Sequence, residues 1–188
     1  MSALGGVSCH FGGPRDPAPA QPRLERVQTI LQERASRLSL RVRKRVANEL
    51  ARAEDEHGLD PLLLLAVIDQ ESRYDPAARG PKGALGLMQV RPFVAKEVAG
   101  RLGIPWEGPA TLVDPVLNVR IGAAYLAEMR RMYAEERLAL AAYNMGPYRV
   151  KRILAQGRAP KSRYAALVLE GYGALRQRFS VAIGPAAL

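Results

Sequence analysis

Between Arg23 and Arg34 the apolar residues Leu24, Val27, Ile30 and Leu31 recur at steps of three and four, with charged residues between them. That spacing predicts a helix with one face turned inward. A second segment, about 40 to 57, sets Val42, Val46, Leu50 and Ala53 on one face and leaves the run RVRKR on the wet side. Gly58 ends it, and Asp60-Pro61 reads as the N-cap and first residue of the next helix. This third helix departs from the first two: Leu62 to Ile68 is apolar on every face, which marks an element surrounded by protein. The apolar run ends in Glu71, which shares a face with Leu64, Val67 and Ile68. Asp75 precedes Pro76, a position biased away from helix, so the helix is expected to stop near Ser72 to Tyr74. Glu71 then lies in its last turn, where core gives way to loop.

The pattern changes in ARGPKGALGLMQVRP. Gly80, Gly83 and Gly86 break any helix, and the alternation of Leu87 and Gln89 predicts short extended pieces, a small hairpin. A helix over 93 to 102 follows, then a loop carrying Trp106. Asp114-Pro115 opens a helix running to about Met132, with Val119, Gly122, Ala123 and Leu126 inward; Gly122 beside Ala123 predicts close helix packing. Another helix spans Glu135 to Tyr143 and is closed by Asn144-Met145-Gly146-Pro147; two more lie near 147–156 and 161–178. The expected fold is mainly α. Residues 1–22 are rich in Gly, Pro and Ala without periodicity and read as a disordered leader. Residues 23–38 form an N-terminal helical extension, 39–180 the main domain and 181–188 a tail.

Composition narrows the function. A chain of 188 residues, 48% apolar, suffices for one domain with a sizeable core. No apolar run approaches the roughly 18 residues that span a bilayer, so an integral membrane protein is not expected. The start MSALGGVSC lacks the basic residues and the apolar stretch of roughly 7 to 15 residues of a secretory signal. Cys9 is single, and His10, His57 and Cys9 have no zinc spacing, so neither a disulfide framework, a metal nor a cofactor is expected. There is no GxSxG, and GPKGALG matches neither a dinucleotide fingerprint nor a P-loop. The net charge of +10, mostly from Arg, fits either a polyanionic partner or a solvated basic surface. The arginines are spread along helices rather than clustered with aromatics, so nucleic acid is not the expected partner.

That leaves carboxylates. An acid at the edge of a core loses hydration, its charged form is disfavoured and its pKa rises, which is what a general acid for glycoside cleavage requires near neutral pH. Glu71 has this setting; the plainer alternative is a helix-end glutamate paired with Arg73 or Arg79. Hydrolysis usually needs a second carboxylate. Asp69 points off the other side of the helix, and Asp75 fits a turn-fixing role before Pro76. One reaction on sugars manages without a second acid.

ESRYDPAARGPKGALGLMQVRP resembles the signature of lytic transglycosylases of the soluble-transglycosylase type: Glu-Ser, an aromatic, Asn/Asp-Pro, then Gly-Ala-x-Gly-Leu-Met-Gln and a proline. DPVLNVRIGAAYL, ALAAYNMGP and Tyr164 in SRYAALVL match further motifs of that family in order, over roughly residues 40 to 178. The resemblance implies a lysozyme-like fold, an α-helical domain with a small β element and a glycan-binding cleft. It implies cleavage of the β-1,4 bond between N-acetylmuramic acid and N-acetylglucosamine in peptidoglycan, with 1,6-anhydro ends. Glu71 corresponds to the catalytic acid and base. Gln89, Tyr143, Asn144 and Tyr164 fall on substrate-binding positions, with Met88 packed beneath Gln89 and counted among them. Asn118 and Gly122 fall on structural positions. Peptidoglycan strands are the implied partner, with envelope or secretion machinery as further candidates, and the periplasm or cell envelope is the implied location.

Two positions depart from the family pattern. The family often carries a serine nine residues after the glutamate, where this chain has Gly80; before the motif's final proline it often carries a neutral residue, where this chain has Arg91. Two readings stand beside the transglycosylase: a hydrolytic lysozyme on the same fold, and a glycan-binding module without turnover.

Overall fold

The computed structural model describes residues 20–181; the expected leader up to residue 19, and the tail after Val181, lie outside the described residues. The described residues form eight α-helices: α1 (Ala20–Arg34), α2 (Leu40–His57), α3 (Pro61–Ser72), α4 (Pro92–Arg101), α5 (Pro115–Met132), α6 (Glu136–Met145), α7 (Pro147–Ala155) and α8 (Arg163–Val181). Short 3-10 turns occupy Pro81–Gly83 and Gly108–Val113. The helix α1 begins three residues before Arg23 and packs on α2 and α3. Its Val27, Ile30 and Leu31 belong to the same apolar core as the rest of the domain.

The caps are those that the residue types dictate. Ser39 Oγ accepts from the Val42 N–H at 3.3 Å, and Gly58 closes α2 with φ 64°. Asp60 caps α3 by accepting from the Leu62 N–H at 2.8 Å, ahead of Pro61 in the first turn. The same carboxylate accepts from the Tyr172 hydroxyl at 2.6 Å, which ties α8 to the start of α3. Pro61 to Ile68 are all buried, so α3 forms the centre of the molecule, between α2 and α8. Each leucine there contributes about 1.5–3 kcal/mol of burial.

The end of α3 is forced rather than frayed. Arg73 and Tyr74 both take left-handed backbone, φ 50° and 62°. For residues with side chains this costs about 1–2 kcal/mol each. It is offset by Tyr74, whose ring is buried beneath the helix and whose hydroxyl donates to the Leu65 carbonyl at 3.1 Å. The chain therefore turns sharply two residues beyond Glu71.

The expected hairpin is reduced to two isolated antiparallel bridges, Arg79 with Leu85 and Leu85 with Val90. Side chains, more than ladder pairing, hold this segment. Asn118 on α5 is fully buried; its amide nitrogen donates to the carbonyls of Leu85 (2.8 Å) and Leu112 (3.1 Å), and its oxygen accepts from the Met88 N–H (2.8 Å). Gly86 has φ 76°, and a Cβ there would strike the Asn118 amide and come within 2.9 Å of the Leu112 carbonyl. Gly122 serves the same seam, since a Cβ on it would meet Met88 Sδ at 2.6 Å. Close packing at Gly122 is thus real, and its partner is the Met88 loop rather than another helix.

Candidate active site

A cavity of about 880 Å³ opens on one side of the molecule, between the Pro81–Arg91 loop and helices α4 to α7. Glu71 lines it from the end of α3 and is largely buried. Burial against the apolar end of α3 pushes its carboxyl from the ordinary 4.5 up to about 7; a neighbouring Tyr164 hydroxyl and the Arg91 guanidinium act the other way. The C-terminal turn of a helix carries partial negative charge, which further disfavours the carboxylate. Among the described residues Glu71 forms no ion pair; Arg73 and Arg79, its candidate partners, are exposed and leave it alone.

Tyr164 on α8 is the closest thing to a partner. Its hydroxyl is buried beside Glu71, near enough to favour the carboxylate, yet lacks the geometry of a regular hydrogen bond to any group described. A buried hydroxyl without a firm partner is costly, of order 1–3 kcal/mol, and is poised to engage whichever form of the acid needs it. Burial first, then the Glu71 charge, pushes the Tyr164 phenol well up, so it stays protonated.

Tyr143 on α6 behaves differently. Its hydroxyl donates to the Met88 carbonyl at 2.8 Å, and its ring lies 5.3 Å from that of Tyr125. Met88 is therefore fixed from both sides, by Asn118 at its N–H and by Tyr143 at its carbonyl. Next to this pinned residue Gln89 takes φ 49° and turns into the cavity. Both amide protons of Gln89 are used, on the carbonyls of Ala78 (3.0 Å) and Gly86 (2.9 Å), which leaves its oxygen as the available acceptor. That oxygen occupies the space a Cβ at Gly80 would need, so the departure at position 80 lets the Gln89 amide fold back over the loop.

Met88 corrects one expectation. It is fully buried against Gly122 and does not line the cavity, so its side chain is a support and not a substrate contact. Asn144 does line it, exposed, and its carbonyl accepts from Arg91 at 3.1 Å across the opening. Arg91 thus lines the cavity, tied to the Asn144 backbone and close enough to act on Glu71. The structure adds residues that pattern alone did not single out. Tyr125 lines the cavity under Tyr143, and Phe93 (62% exposed), Met132 (62%) and Tyr148 (88%) present apolar surface at its rim. Tyr125 lies in the motif DPVLNVRIGAAYL, seven residues after Asn118 and so on the same face, a spacing that could have marked it. Nothing in the sequence distinguishes Tyr148.

Most of the other acids near the site are engaged. Asp69 pairs with Arg34 at 2.8 Å. Asp75 pairs with Arg37 and accepts from the Ala77 N–H at 3.0 Å, fixing the turn. Glu128 and Glu97 also line the cavity: Glu128 is held by Arg101 at 2.7 Å, whereas Glu97 is exposed on α4 and forms no ion pair. Among the described residues no cluster of His, Cys, Asp and Glu could hold a metal ion, and no helix is long and apolar enough to cross a membrane.

Comparison with known proteins agrees with this geometry. The family model "Transglycosylase SLT domain" matches residues 49–165. The soluble lytic murein transglycosylase of Salmonella typhimurium is 39% identical over 89 residues, 46% of this chain and 14% of that protein. Membrane-bound lytic murein transglycosylase C of Edwardsiella ictaluri is 33% identical over 141 residues, 68% of this chain and 39% of that protein. The 70 kDa soluble lytic transglycosylase of Escherichia coli superposes with a TM-score of 0.62 at 27% identity, covering 86% of this chain and 30% of that structure. The chain spans well under half the length of these relatives. With more than half of its residues matched by the family model, the chain belongs to the transglycosylase SLT domain family.

Proposed function

We propose that the protein is a peptidoglycan lytic transglycosylase in which Glu71 acts alone as acid and base. The observation that carries this reading is a carboxyl without an ion pair, lining a large cleft and, alone among the acids there, raised by burial, to about 7. At that value a substantial fraction is protonated at neutral pH, as proton donation to a leaving oxygen requires.

In the first step the protonated Glu71 gives its proton to the glycosidic oxygen between N-acetylmuramic acid and N-acetylglucosamine, and the bond to the anomeric carbon breaks. The Glu71 carboxylate then takes the proton from the muramic 6-hydroxyl, whose oxygen bonds the anomeric carbon and closes a 1,6-anhydro ring. The proton returns to Glu71, and no water is consumed. Tyr164 and Arg91 favour the carboxylate formed between the two steps. Tyr143, through Met88, holds Gln89 where its amide oxygen can accept from a sugar hydroxyl or acetamido N–H. Asn144 borders the same cleft, and the rim aromatics Phe93 and Tyr148 offer faces to sugar rings.

The hydrolytic alternative needs a second acid to activate water. Asp75 is engaged elsewhere, and Arg91 is the charge that acts on Glu71. A non-catalytic module has no use for a carboxyl kept unpaired at the cost of stability. Peptidoglycan as substrate places the protein in the periplasm or cell envelope. The test is digestion of purified peptidoglycan by the wild type and by Glu71→Gln, with the released muropeptides weighed. Products one water lighter than reducing muropeptides, absent with the variant, are the expected result; reducing products from the wild type would sink the reading.

A further inference from the structure

The glycines of the loop before α4 do not share one reason for being glycine. Gly86 takes φ 76° and lies against Asn118 and the Leu112 carbonyl, so its backbone and its surroundings both exclude a side chain. Gly80 is different. Its φ of −110° and ψ of −176° are extended backbone, open to any residue. Its N–H donates to the Ala84 carbonyl at 2.9 Å, which keeps its Cα in place. A Cβ there would collide with one atom, Gln89 Oε1; the next nearest, Gln89 Cδ and Ala84 Cβ, would lie at 3.4 and 3.5 Å, ordinary contact. The space left open at position 80 is therefore taken by the end of the Gln89 side chain and by little else.

Gln89 is tethered at every other point. Its backbone is set at φ 49° beside Met88, which Asn118 and Tyr143 hold from two sides. Its amide nitrogen donates to the carbonyls of Ala78 and Gly86, at 3.0 and 2.9 Å. Two facing carbonyls also decide which end of the amide is which, since a flipped amide would set oxygen against oxygen. With both donors used, the remaining hydrogen-bonding capacity is at Oε1, to which no described residue donates. Gln89 lines the cavity that Glu71 lines, whereas Gly80 does not.

We propose that Gly80 is a positioning residue that acts through Gln89. Because it has no side chain, the Gln89 amide keeps both N–H groups on the loop and offers the cleft an acceptor alone, which selects an N–H or O–H group of the sugar bound there. The inference rests on the functional reading above and adds what holds Gln89 in its working form. A side chain at position 80 would drive the amide off the two carbonyls, and a free amide presents donors and an acceptor in no fixed direction. The order built into the loop would then have to be recovered on binding, with a loss of affinity.

The first readout is the amide itself. Protein labelled with nitrogen-15 in its glutamine side chains is compared with Gly80→Ala by NMR, and the Gln89 signal is identified by its loss in Gln89→Ala. Its amide protons should exchange slowly with water, and about tenfold faster in Gly80→Ala. The second readout is affinity for purified glycan strands, measured in Glu71→Gln protein so that no turnover intervenes, with Gly80→Ala, with Gln89→Ala and with both. Gly80→Ala should weaken binding about fivefold, the effect expected for one neutral hydrogen bond, and by less than about twofold once residue 89 is already alanine. A Cβ that damaged the loop or met the sugar directly would weaken binding equally in both backgrounds, and that result would overturn the inference while leaving Glu71 chemistry untouched. So would an unmoved amide signal in Gly80→Ala, or a moved signal with unchanged affinity. No affinity for glycan strands in the Glu71→Gln parent would overturn the functional reading, and this inference with it.

Discussion

Burial pushes up Glu49, Glu54 and Glu71, and the first and last of these lead different lives. Glu49 lies on α2 against α5, only 12% of its side chain exposed, with Arg52 at 3.2 Å and Arg120 at 3.1 Å. Glu71 lies at the cleft with no ion pair, one cation close enough to act on it and one tyrosine hydroxyl beside it. The first is a structural acid whose desolvation is answered in part by guanidinium groups. The second is left unanswered, and the cost is borne by the fold. Burial raises both carboxyls; what separates them is whether the neighbourhood has been arranged to keep the charge or to release it.

The largest contrast is expected on removing the two charges. Glu71→Gln should lower cleavage by about 10³-fold or more, the upper range for a positioned acid and base. It should also stabilise the protein, and the sign follows from linkage. The folded carboxyl titrates near 7 and the unfolded one near 4.5, so the folded state holds the extra proton between those values and stability falls as pH rises through them. Glu71→Gln should therefore recover about 3 kcal/mol at pH 8 and little at pH 4, seen in denaturant midpoints at the two pH values. A variant less stable at pH 8 than the wild type would break the contrast.

Tyr164→Phe should come next, with about tenfold lower kcat and little change in KM. Because Tyr164 favours the carboxylate, its removal should move the alkaline limb of the pH–rate profile upward. A purely structural tyrosine would leave that limb in place. Glu49→Gln should change stability far less than Glu71→Gln, because burial raises its carboxyl too but Arg52 acts against that rise, while cleavage stays within about twofold. The smallest effect belongs to Arg91→Met. It should also shift the alkaline limb upward, by less than Tyr164→Phe, and remove the part of that limb that responds to salt.

Much of this arrangement is written locally. The apolar wall of α3 and the caps at Asp60, Gly58 and Asp114 can be read from residue type and spacing, and the structure has all of them. So can the position of Glu71 in the last turn, because the residue before Pro76 disfavours helix and the chain must leave α3 there. The remainder depends on long-range placement. The small hairpin is two bridges because Asn118, some thirty residues away in α5, supplies the bonds that a ladder would have made. Tyr143 reads as a substrate contact, and it does line the cavity, but only the fold shows that its hydroxyl donates to the Met88 carbonyl. Met88 reads as part of the binding surface until Gly122 is found beneath it.

The central claim is a titration. Protein labelled with carbon-13 at the glutamate carboxyl would be followed by NMR from pH 4 to pH 9, with Glu71→Gln identifying the Glu71 signal. A midpoint near 7 is the expected result. A midpoint near the ordinary 4.5 would mean that Glu71 is ionised throughout the physiological range and cannot be the proton donor.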